Sequence, residues 1–464
     1  MVYLISKKGF LMLVQFSVEN YVSFKDEVRL NMIPAKSRTM KDHVISDKHG
    51  KQIDVLPLAT IYGANASGKT NLVKAIRYMK NIVLSGIKVD SLTGVLPHKL
   101  DAESEKKPSR FEIIFKHQNV LYTYGFVITR EKVLEEWLFG YYTSQESRIF
   151  ERITNENNET KVKPGARLTD DGQGADFIKF VAKGTRPNQL FLNEAHERNV
   201  KIISPVIDWF KDCLHIVRPN TQYSLLTFRA HKERNFIDYL SKFLRNVDTG
   251  IKNITCDIED FDANKHLGDL PSGIKKEIIE DLESSKTKNL YIQGPNASFT
   301  ILKEVTDNRE RVQYIRLRTE HERSDGSSTM FDPIDESDGT RRLMDLIPML
   351  FEIWESEKVY IIDELDRSLH THLSRLFIET VIAGVKSKGS GGQFIVTTHD
   401  TNLLDRKLLR KDEIYFMEKD KNGGSHLTSL AEYKLSEGLN YENGYLNGRF
   451  GGIPFVGNTH ELLK

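Results

Sequence analysis

The sequence is poor in cysteine, in net charge and in long apolar runs, and each absence excludes a class of protein. Two cysteines, Cys213 and Cys256, cannot build a disulfide framework, which fits a reducing compartment. The 66 basic residues balance 65 acidic ones, so the net charge of +1 gives no global field for nucleic acid or membrane. No apolar run reaches the length of a membrane span, and residues 1–13 lack the cleavage site of a secretory signal. These absences predict a cytoplasmic protein with no membrane partner.

The composition that is present is ordinary for a soluble globular chain, with 28% charged and 39% hydrophobic residues. A length of 464 residues predicts two or three domains, and translation starts at either Met1 or Met12, just before the regular patterning begins. Periodicity predicts strand and helix alternation at both ends, with helices and polar turns over about 143–330. The predicted elements are strands around a turn at Asn20 (13–30), a strand, Gly-rich turn and helix (55–83), antiparallel strands (111–129 and 132–142), a helix (235–247), a hairpin (289–305), strands (359–364, 393–400 and 413–419), a helix (371–386) and the turn GSGG (389–392).

A phosphate loop is the clearest motif. Residues 63–70, GANASGKT, satisfy G-x-x-x-x-G-K-[ST] between a predicted strand and a predicted helix. In this motif the glycines let backbone N–H groups wrap the phosphates, Lys69 reaches the β- and γ-phosphates, and the Thr70 hydroxyl binds Mg²⁺. We therefore expect an ATP site whose nucleotide-binding residues are Gly63, Asn65, Ser67, Gly68, Lys69, Thr70 and Asn71.

Two later strands end in residues that complete a hydrolytic site. VYIIDELD places Asp363 at the carboxyl edge of the sheet, where Mg²⁺ must lie, and Glu364 follows as the candidate general base. QFIVTTHD ends with His399 at the same edge, where it would sense the γ-phosphate or hold the attacking water. Each residue could instead be structural, but their combination with a phosphate loop favours an ATPase with Glu364, Lys69 and His399 as its catalytic residues.

A second anion site is predicted at the start of another helix. After Gly339 the apolar residues fall three and four apart, at Leu343, Leu346, Ile347, Leu350, Phe351 and Trp354. Ser337 and Gly339 would lie at the helix N-terminus, where free N–H groups and the helix dipole attract an anion. The phosphate loop lies far upstream in the sequence, so we expect this helix to bind a phosphate other than the one on its own chain's loop.

The spacing of these motifs resembles that of the ATP-binding-cassette (ABC) ATPases, in particular their SMC-like branch. Lys69 and Asp363 are 294 positions apart, and Gly339 precedes Asp363 by 24. In that family an L-S-G-G-Q signature precedes the acidic strand and contacts the γ-phosphate bound to the other subunit. Here the sequence is ESDGT, in which the serine and the second glycine match. The resemblance implies a homodimer, or a higher oligomer, with composite ATP sites completed by Ser337, Gly339 and the D-loop residue Asp366.

Further segments resemble a narrower group. VENYVSFKD, DELDRSLH and YLNGRFGGIPFV, with ESDGTRRL, are similar to bacterial RloA/AbiLi-type AAA ATPases related to the OLD family. The resemblance covers about 12–140 and 330–456. It implies the ATPase component of a phage-defence or abortive-infection system, which acts with a separate nuclease or toxin. Gln118 and Gln189 are both poor matches to the Q-loop glutamine of the family, so the sequence does not identify the Q-loop residue.

Together these features predict an α/β fold, an ABC-ATPase-like P-loop NTPase head with a mixed sheet, an antiparallel β subdomain and an inserted, mostly helical region. The expected domains are 1–142 (N-terminal lobe), 143–330 (insertion that serves as lid or partner-binding region) and 331–464 (C-terminal lobe). The expected cofactors are ATP and Mg²⁺.

Several alternatives are weighed against this function. An SMC-like DNA-repair or DNA-binding ATPase would need long heptad coiled coils, which 143–330 does not supply. An OLD-type nuclease would need a Toprim domain, but only 65 residues follow His399. Transport cassettes lack such an insertion. The basic segments 229–236 and 406–411 could contact DNA but are better explained as solvated helix faces, and His370 with His372 lacks a third metal ligand.

Overall fold

The computed structural model describes residues 12–37, 40–46, 53–169, 174–268, 270–284, 289–293, 299–306, 309–353, 358–388, 392–436 and 438–453. Met1, Trp354, most of the GSGG turn, the turn of the predicted 289–305 hairpin and the end of YLNGRFGGIPFV lie outside these residues. The chain forms two compact units. The first contains the described residues of Met1–Pro219, Ile353–Asp366 and Ser374–Lys464, and the second those of Asn220–Glu352 and Arg367–Leu373. This division differs from the expected domains, because 143–219 belongs to the first unit and 331–352 to the second.

The strands and helices are numbered in chain order. The described residues form the strands β1 (Met12–Glu19), β2 (Val28–Asn31), β3 (Leu58–Tyr62), β4 (Ser109–His117), β5 (Val120–Ile128), β6 (Val133–Tyr141), β7 (Ser147–Thr154), β8 (Thr160–Pro164), β9 (Leu214–Val217), β10 (Ile251–Asp260), β11 (Asn289–Gln293), β12 (Phe299–Thr306), β13 (Arg309–Glu322), β14 (Ser328–Phe331), β15 (Val359–Ile362), β16 (Gln393–Thr397), β17 (Ile414–Lys419) and β18 (Ser425–Ser429). The helices are α1 (Lys69–Ser85), α2 (Ala102–Lys106), α3 (Ala166–Thr169), α4 (Ala175–Gly184), α5 (Phe191–Glu197), α6 (Ser204–Asp208), α7 (Leu226–Lys232), α8 (Arg234–Asn246), α9 (Ala263–His266), α10 (Ser272–Ser284), α11 (Asp338–Glu352), α12 (Thr371–Lys388) and α13 (Tyr441–Leu446).

A six-stranded mixed sheet carries the candidate site in the first unit. Its order is β18-β17-β3-β16-β15-β9, parallel throughout except for the β17–β18 hairpin. Every residue of β3, β15 and β16 is buried, as expected of parallel strands covered on both faces. Because these strands are parallel, the residues that follow β3, β15 and β16 emerge at one sheet edge. The helix predicted after the phosphate loop is confirmed as α1, whose Leu72, Ile76 and Met79 are buried.

A seven-stranded antiparallel sheet, β2-β1-β4-β5-β6-β7-β8, completes the first unit. The strands predicted over 111–129 and 132–142 are confirmed as β4, β5 and β6. The chain after β1 differs from prediction, because β2 begins only at Val28. Asn20 and Val22 have left-handed backbones (φ 51° for both), which end the first strand in a longer turn than the alternation suggested.

The second unit is built on another antiparallel sheet, β10-β13-β12-β11, with β14 paired to β13. The predicted 235–247 helix is confirmed as α8, and the hairpin predicted at 289–305 as β11 and β12. Buried side chains of α8 and α11 share an apolar core that includes Leu240 and Leu343. The predicted α/β class is confirmed, with a mixed sheet that carries the phosphate loop and an antiparallel β subdomain. The expectation that the inserted region 143–330 is mostly helical is wrong, because its described residues contribute the strands β7 to β14 as well as helices.

Candidate nucleotide-binding site

The candidate phosphate loop connects β3 to α1, and two of its glycines are required by space. A Cβ at Gly63 would overlap the backbone oxygen of Met417 on the neighbouring strand β17. A Cβ at Gly68 would lie 2.5 Å from Ser425 Oγ, and the φ of Gly68 is +119°, a backbone conformation that favours glycine. Ser425 Oγ also donates a hydrogen bond to the Ser67 carbonyl oxygen at 2.6 Å. The β17–β18 hairpin therefore packs directly against the loop and fixes its shape.

Lys69 is held across the mouth of this loop. Its Nζ donates hydrogen bonds to the carbonyl oxygens of Gly63 at 2.7 Å and Ala64 at 3.0 Å. Burial lowers the pKa of Lys69 to about 8, against the opposing attraction of the Asp363, Asp366 and Glu364 carboxylates. The ammonium is thus poorly solvated, and a phosphate group would supply the counter-charge that burial removes.

Asp363 lies directly after β15 and faces the first turn of α1. Its Oδ1 accepts hydrogen bonds from Thr70 Oγ1 at 3.3 Å and from Thr397 Oγ1 at 2.8 Å. A hydroxyl and a carboxylate side by side, with Thr70 exposed, fit Mg²⁺, which takes few protein oxygen ligands and keeps places for water and phosphate. These two residues would hold the metal ion.

Glu364 and His399 extend from adjacent strands of the same sheet edge. Glu364 has a left-handed backbone (φ 54°), which its N–H stabilises by donating to Thr397 Oγ1 at 2.8 Å. The His399 N–H lies 3.3 Å from both carboxylate oxygens of Asp366. Burial, and then the nearby Lys69 charge, lower the pKa of His399, so its imidazole is neutral at pH 7.

These side chains surround one cavity of about 270 Å³ in the first unit. Its lining residues are Ser23, Asn65, Ala66, Ser67, Gly68, Lys69, Thr70, Asn71, Glu364, His399 and Lys419. We call it the phosphate cavity. Eight of them were predicted from the sequence, and Asp363 lies beside them through its bond to Thr70. Ser23, Lys419 and the supporting Ser425 were missed, because each lies in a strand or turn with no nucleotide motif of its own. Ala66 in the phosphate loop and Thr397 in QFIVTTHD were missed because the motif patterns give these two positions no role.

Comparison with known proteins assigns the family. Residues 58–405, which contain the phosphate loop, Asp363, Glu364 and His399, match the AAA_21 family model, described as "AAA domain, putative AbiEii toxin, Type IV TA system". The chain belongs to this family. No curated protein matches it.

Solved structures similar to this AAA_21 chain include two SMC heads and a recombination mediator protein. The SMC head domain from Thermotoga maritima has 10% identity and a TM-score of 0.35, with 91% of this chain and 99% of that chain covered. An SMC head bound to the C-winged helix domain of ScpA has 13% identity and a TM-score of 0.36, over 92% and 98% of the two chains. The recombination mediator protein RecF bound to ATP has 12% identity and a TM-score of 0.30, over 90% and 99%.

Residues 336–340, ESDGT, which are predicted to be the signature, belong to the second unit of the AAA_21 chain. Helix α11 begins at Asp338, and Ser337 Oγ accepts a hydrogen bond from the Thr340 N–H at 3.1 Å, so Ser337 caps the helix N-terminus. A Cβ at Gly339 would lie only 2.7 Å from the backbone oxygen of Ser368. Ser368 lies in DELDRSLH (363–370), the segment that contains the predicted D-loop. Ser337 and Gly339 thus lie at the helix start, as expected, while the phosphate loop belongs to the first unit.

The two poorly matching glutamines and the histidine pair lie outside the lining of the phosphate cavity. Gln118 lies in the β4–β5 turn, and buried Gln189 donates to Glu194 at 2.9 Å, so neither lines the phosphate cavity. His370 Nδ1 accepts a hydrogen bond from the His372 N–H at 3.2 Å, and the described residues contain no group of three or more His, Cys, Asp or Glu placed for a metal ion. Within the described residues, no helix is long and apolar enough to cross a membrane.

One arginine in each basic segment is paired with nearby acids. In the first segment, Arg229 pairs with Glu233 and Glu352, each at 2.8 Å. In the second, Arg410 is buried and pairs with Asp412 at 2.6 Å. Cations held in this way are poorly available to phosphate groups of DNA. The explanation of these segments as solvated helix faces is wrong for both arginines, which are buried, and residues 406–408 form a turn and not a helix.

Proposed function

We propose that the protein is an ATPase that works as a dimeric switch and controls a separate effector in bacterial anti-phage defence. The observation that carries the proposal is the phosphate cavity, where Lys69, Thr70, Glu364 and His399 from three adjacent strand ends face one space. A loop that wraps phosphate, a hydroxyl–carboxylate pair for Mg²⁺ and a carboxylate for water are the parts that ATP hydrolysis needs.

In the proposed reaction the γ-phosphate lies against Lys69 and the N–H groups of the loop. Glu364 accepts a proton from the attacking water, while the His399 imidazole forms a hydrogen bond with the γ-phosphate or that water. Mg²⁺ bound by Thr70 and Asp363 would neutralise negative charge on the phosphates. The products are ADP and phosphate. Glu364 holds the proton taken from the water and then releases it to solvent.

We further propose that each site is shared between two copies of the chain. Helix α11 has 15 residues, and its N-terminus, with Ser337 and Gly339, offers backbone N–H groups to an anion. The resemblance of ESDGT to the ABC signature supports a γ-phosphate on the partner's phosphate loop as that anion. ATP would then join two copies, and hydrolysis would release them.

The output of the switch is proposed to be another protein. Among the described residues there is no three-residue metal cluster of the kind that many nucleases use. The family description names the AbiEii toxin and a type IV toxin–antitoxin system, which supports a role in defence. The buried, paired Arg229 and Arg410 of the two basic segments give no support to the alternative of a DNA-repair or DNA-binding ATPase.

The cellular role is tested by expressing the gene alone and with its genomic neighbours. We expect the gene alone to be harmless and to give no protection from phage. Co-expression with a neighbouring effector gene should protect, and Lys69→Ala should abolish that protection. Toxicity or protection from this gene alone would contradict the switch and favour an effector within the chain.

The enzymatic role is tested with two variants of the phosphate cavity. Glu364→Gln should keep ATP bound and slow hydrolysis about 100-fold or more, because the amide cannot accept the proton. Lys69→Ala should instead weaken ATP binding. Phosphate release and nucleotide titration measure both effects, and a wild-type rate in Glu364→Gln would show that another group is the base.

A further inference from the structure

The C-terminal part of the first unit lies close to the strand ends that carry the phosphate loop and His399. Residues 441–453, which we call the C-terminal segment, begin as helix α13 and continue as a turn. A cavity of about 730 Å³ separates this segment from the candidate site, and its lining includes Gly63, His399, Thr401 and Tyr445. The segment therefore borders the side of the site where the proposed reaction places the γ-phosphate and the attacking water.

Aromatic contacts fix the C-terminal segment to strand β17. The rings of Tyr445 and Phe450 each stack on the Phe416 ring, with centroids 5.2 Å apart in both pairs. The Tyr445 hydroxyl also donates a hydrogen bond to the Gly452 carbonyl oxygen at 3.0 Å. All three rings are buried. The segment is thus a fixed part of the first unit, and it can hold neighbouring groups in place.

Two consecutive glycines bring the C-terminal segment against the phosphate loop. Gly451 and Gly452 both have left-handed backbones (φ +68° and +69°), and a Cβ at Gly451 would overlap Glu418 Oε2. A Cβ at Gly452 would be 3.5 Å from the Gly63 Cα, which is an ordinary van der Waals contact. A larger residue at 451 would push the segment away, so the first glycine keeps it beside the start of the loop.

One side chain of α13 reaches the chain that follows His399. Glu442 Oε1 accepts a hydrogen bond from Thr401 Oγ1 at 2.9 Å, and both residues are half-buried. A hydrogen bond to a carboxylate is stronger than one between neutral groups, and partial burial reduces competition from water. Thr401 is two residues beyond His399 and begins a short 3₁₀ turn, Thr401–Leu403, whose last side chain is fully buried. Glu442 therefore ties the His399 loop to the C-terminal segment.

The His399 loop is thus held on both sides of the imidazole. On one side, the His399 N–H lies 3.3 Å from both carboxylate oxygens of Asp366. On the other side, Thr401 is bonded to Glu442. Groups that act on a reacting atom must be placed accurately, because a displacement of about 1 Å costs up to roughly 100-fold in rate. Two fixed points near His399 give the placement that its proposed role requires.

We propose that Glu442 is a positioning residue for ATP hydrolysis. Through Thr401 it holds the loop after β16, so that the His399 imidazole meets the γ-phosphate or the attacking water. The proposal rests on the proposed function and adds a role for the C-terminal segment in it. Because Glu442 acts through His399 while the phosphate loop supplies the affinity for ATP, its loss should lower the rate of hydrolysis and not the affinity.

Substitutions of Glu442 test this separation of rate from affinity. Glu442→Ala removes the acceptor and should lower kcat about threefold to tenfold, the range expected for one hydrogen bond, with ATP affinity unchanged. Glu442→Gln keeps an acceptor oxygen and should restore most of the rate. Asn443→Ala is the control, since Asn443 is exposed on the same helix, and it should hydrolyse ATP like wild type. A wild-type kcat in Glu442→Ala, or a loss of ATP affinity in its place, would overturn the proposal.

The route through His399 is tested by combining two substitutions. In a His399→Ala background, Glu442→Ala should slow single-turnover hydrolysis no further, because the imidazole that Glu442 positions is already gone. A second slowing by the same factor would show that Glu442 supports the fold or acts on another group. Either result would overturn the positioning role.

Hydrogen exchange examines the same loop without any reaction. Amides of residues 398–404 should exchange faster in Glu442→Ala than in wild type, and at the wild-type rate in Asn443→Ala. Unchanged exchange in Glu442→Ala would contradict the link between α13 and the His399 loop. This measurement also separates two failures: a wild-type protein that hydrolyses no ATP would refute the proposed function, while exchange still decides whether Glu442 holds the loop.

Discussion

The hydrogen bonds that hold Lys69 in place also require the burial of its charge. Lys69 must be close enough to the loop carbonyls to be held in place, and this burial removes the water that stabilises its charge. Three carboxylates nearby only partly compensate, so the pKa of Lys69 falls to about 8. Bound phosphate would favour the charged form strongly, which couples nucleotide binding to proton uptake.

This coupling predicts that ATP affinity depends on pH. Below pH 8 Lys69 is already protonated and affinity should be constant; above it, binding must also take up a proton, so affinity should fall by up to about tenfold per pH unit. Titrations between pH 7 and 9.5 measure the slope. Lys69→Arg is the control, because a guanidinium stays charged over this range. An equal slope in both proteins would assign the effect to another group.

At the scale of elements, strands and helices were predicted correctly where burial alone sets the order of apolar and polar residues. Strand β3, the phosphate loop and α1 were all predicted. Burial of β3 on both faces gives a continuous apolar run, and the loop has a specific glycine motif. Strand β9 was missed since four residues, LHIV, carry too little periodicity. Strand β10 was missed because most of its side chains are exposed or half-buried, so apolar residues do not alternate along it.

The site was predicted to a similar extent and for the same reason. Lys69, Asp363 and His399 follow buried strands and carry recognisable motifs. Lys419 and Ser425 reach the loop from the β17–β18 hairpin, a contact set by strand order, which no local pattern records. The expected domains differ from the two units because β7 and β8 extend the antiparallel sheet directly from β6, and because β9 pairs with β15, which is distant in sequence.

Helix α11 allows a test of the close contact between the signature and the D-loop. Gly339→Ala should destabilise the protein by about 1–3 kcal/mol, because the new Cβ meets the backbone oxygen of Ser368, which cannot rotate away. Gly273→Ala, in helix α10 of the same unit, is the control: it has open space and should be neutral or slightly stabilising. Denaturant unfolding compares the two, and equal midpoints would show that the D-loop moves freely.

The same helix contains a carboxyl group that should make stability depend on pH. Burial raises the pKa of Asp345 to about 6, although it accepts a hydrogen bond from the Tyr223 N–H at 2.9 Å. Because the folded pKa exceeds the unfolded one of about 4, the stabilisation contributed by Asp345 should be complete below pH 4 and be lost as the pH rises through 6.

Asp345→Asn removes this titration while keeping the acceptor oxygen. The variant should therefore be more stable than wild type at pH 7, by up to about 3 kcal/mol, and should lose the slope between pH 4 and 6. Thermal unfolding at several pH values measures the difference. A wild-type slope in the variant would contradict the assignment to Asp345.

At the scale of the whole molecule, the proposed shared site needs two copies of the chain for each complete ATP site. One chain carries both a phosphate loop and a signature helix, so a dimer with twofold symmetry would form two identical composite sites. ATP binding and association are then one event, and this is what allows a single small ligand to change the surface offered to an effector.

The most direct test of this shared site mixes two inactive variants. Ser337→Arg blocks the signature helix but keeps the phosphate loop, and Lys69→Ala does the reverse, so each alone should hydrolyse little ATP. Random pairing makes about half of the dimers mixed, and each has one intact site of two, so an equal mixture should recover roughly a quarter of the wild-type ATPase rate. A mixture as inactive as its two parents would contradict the shared site and place the complete active site within one chain.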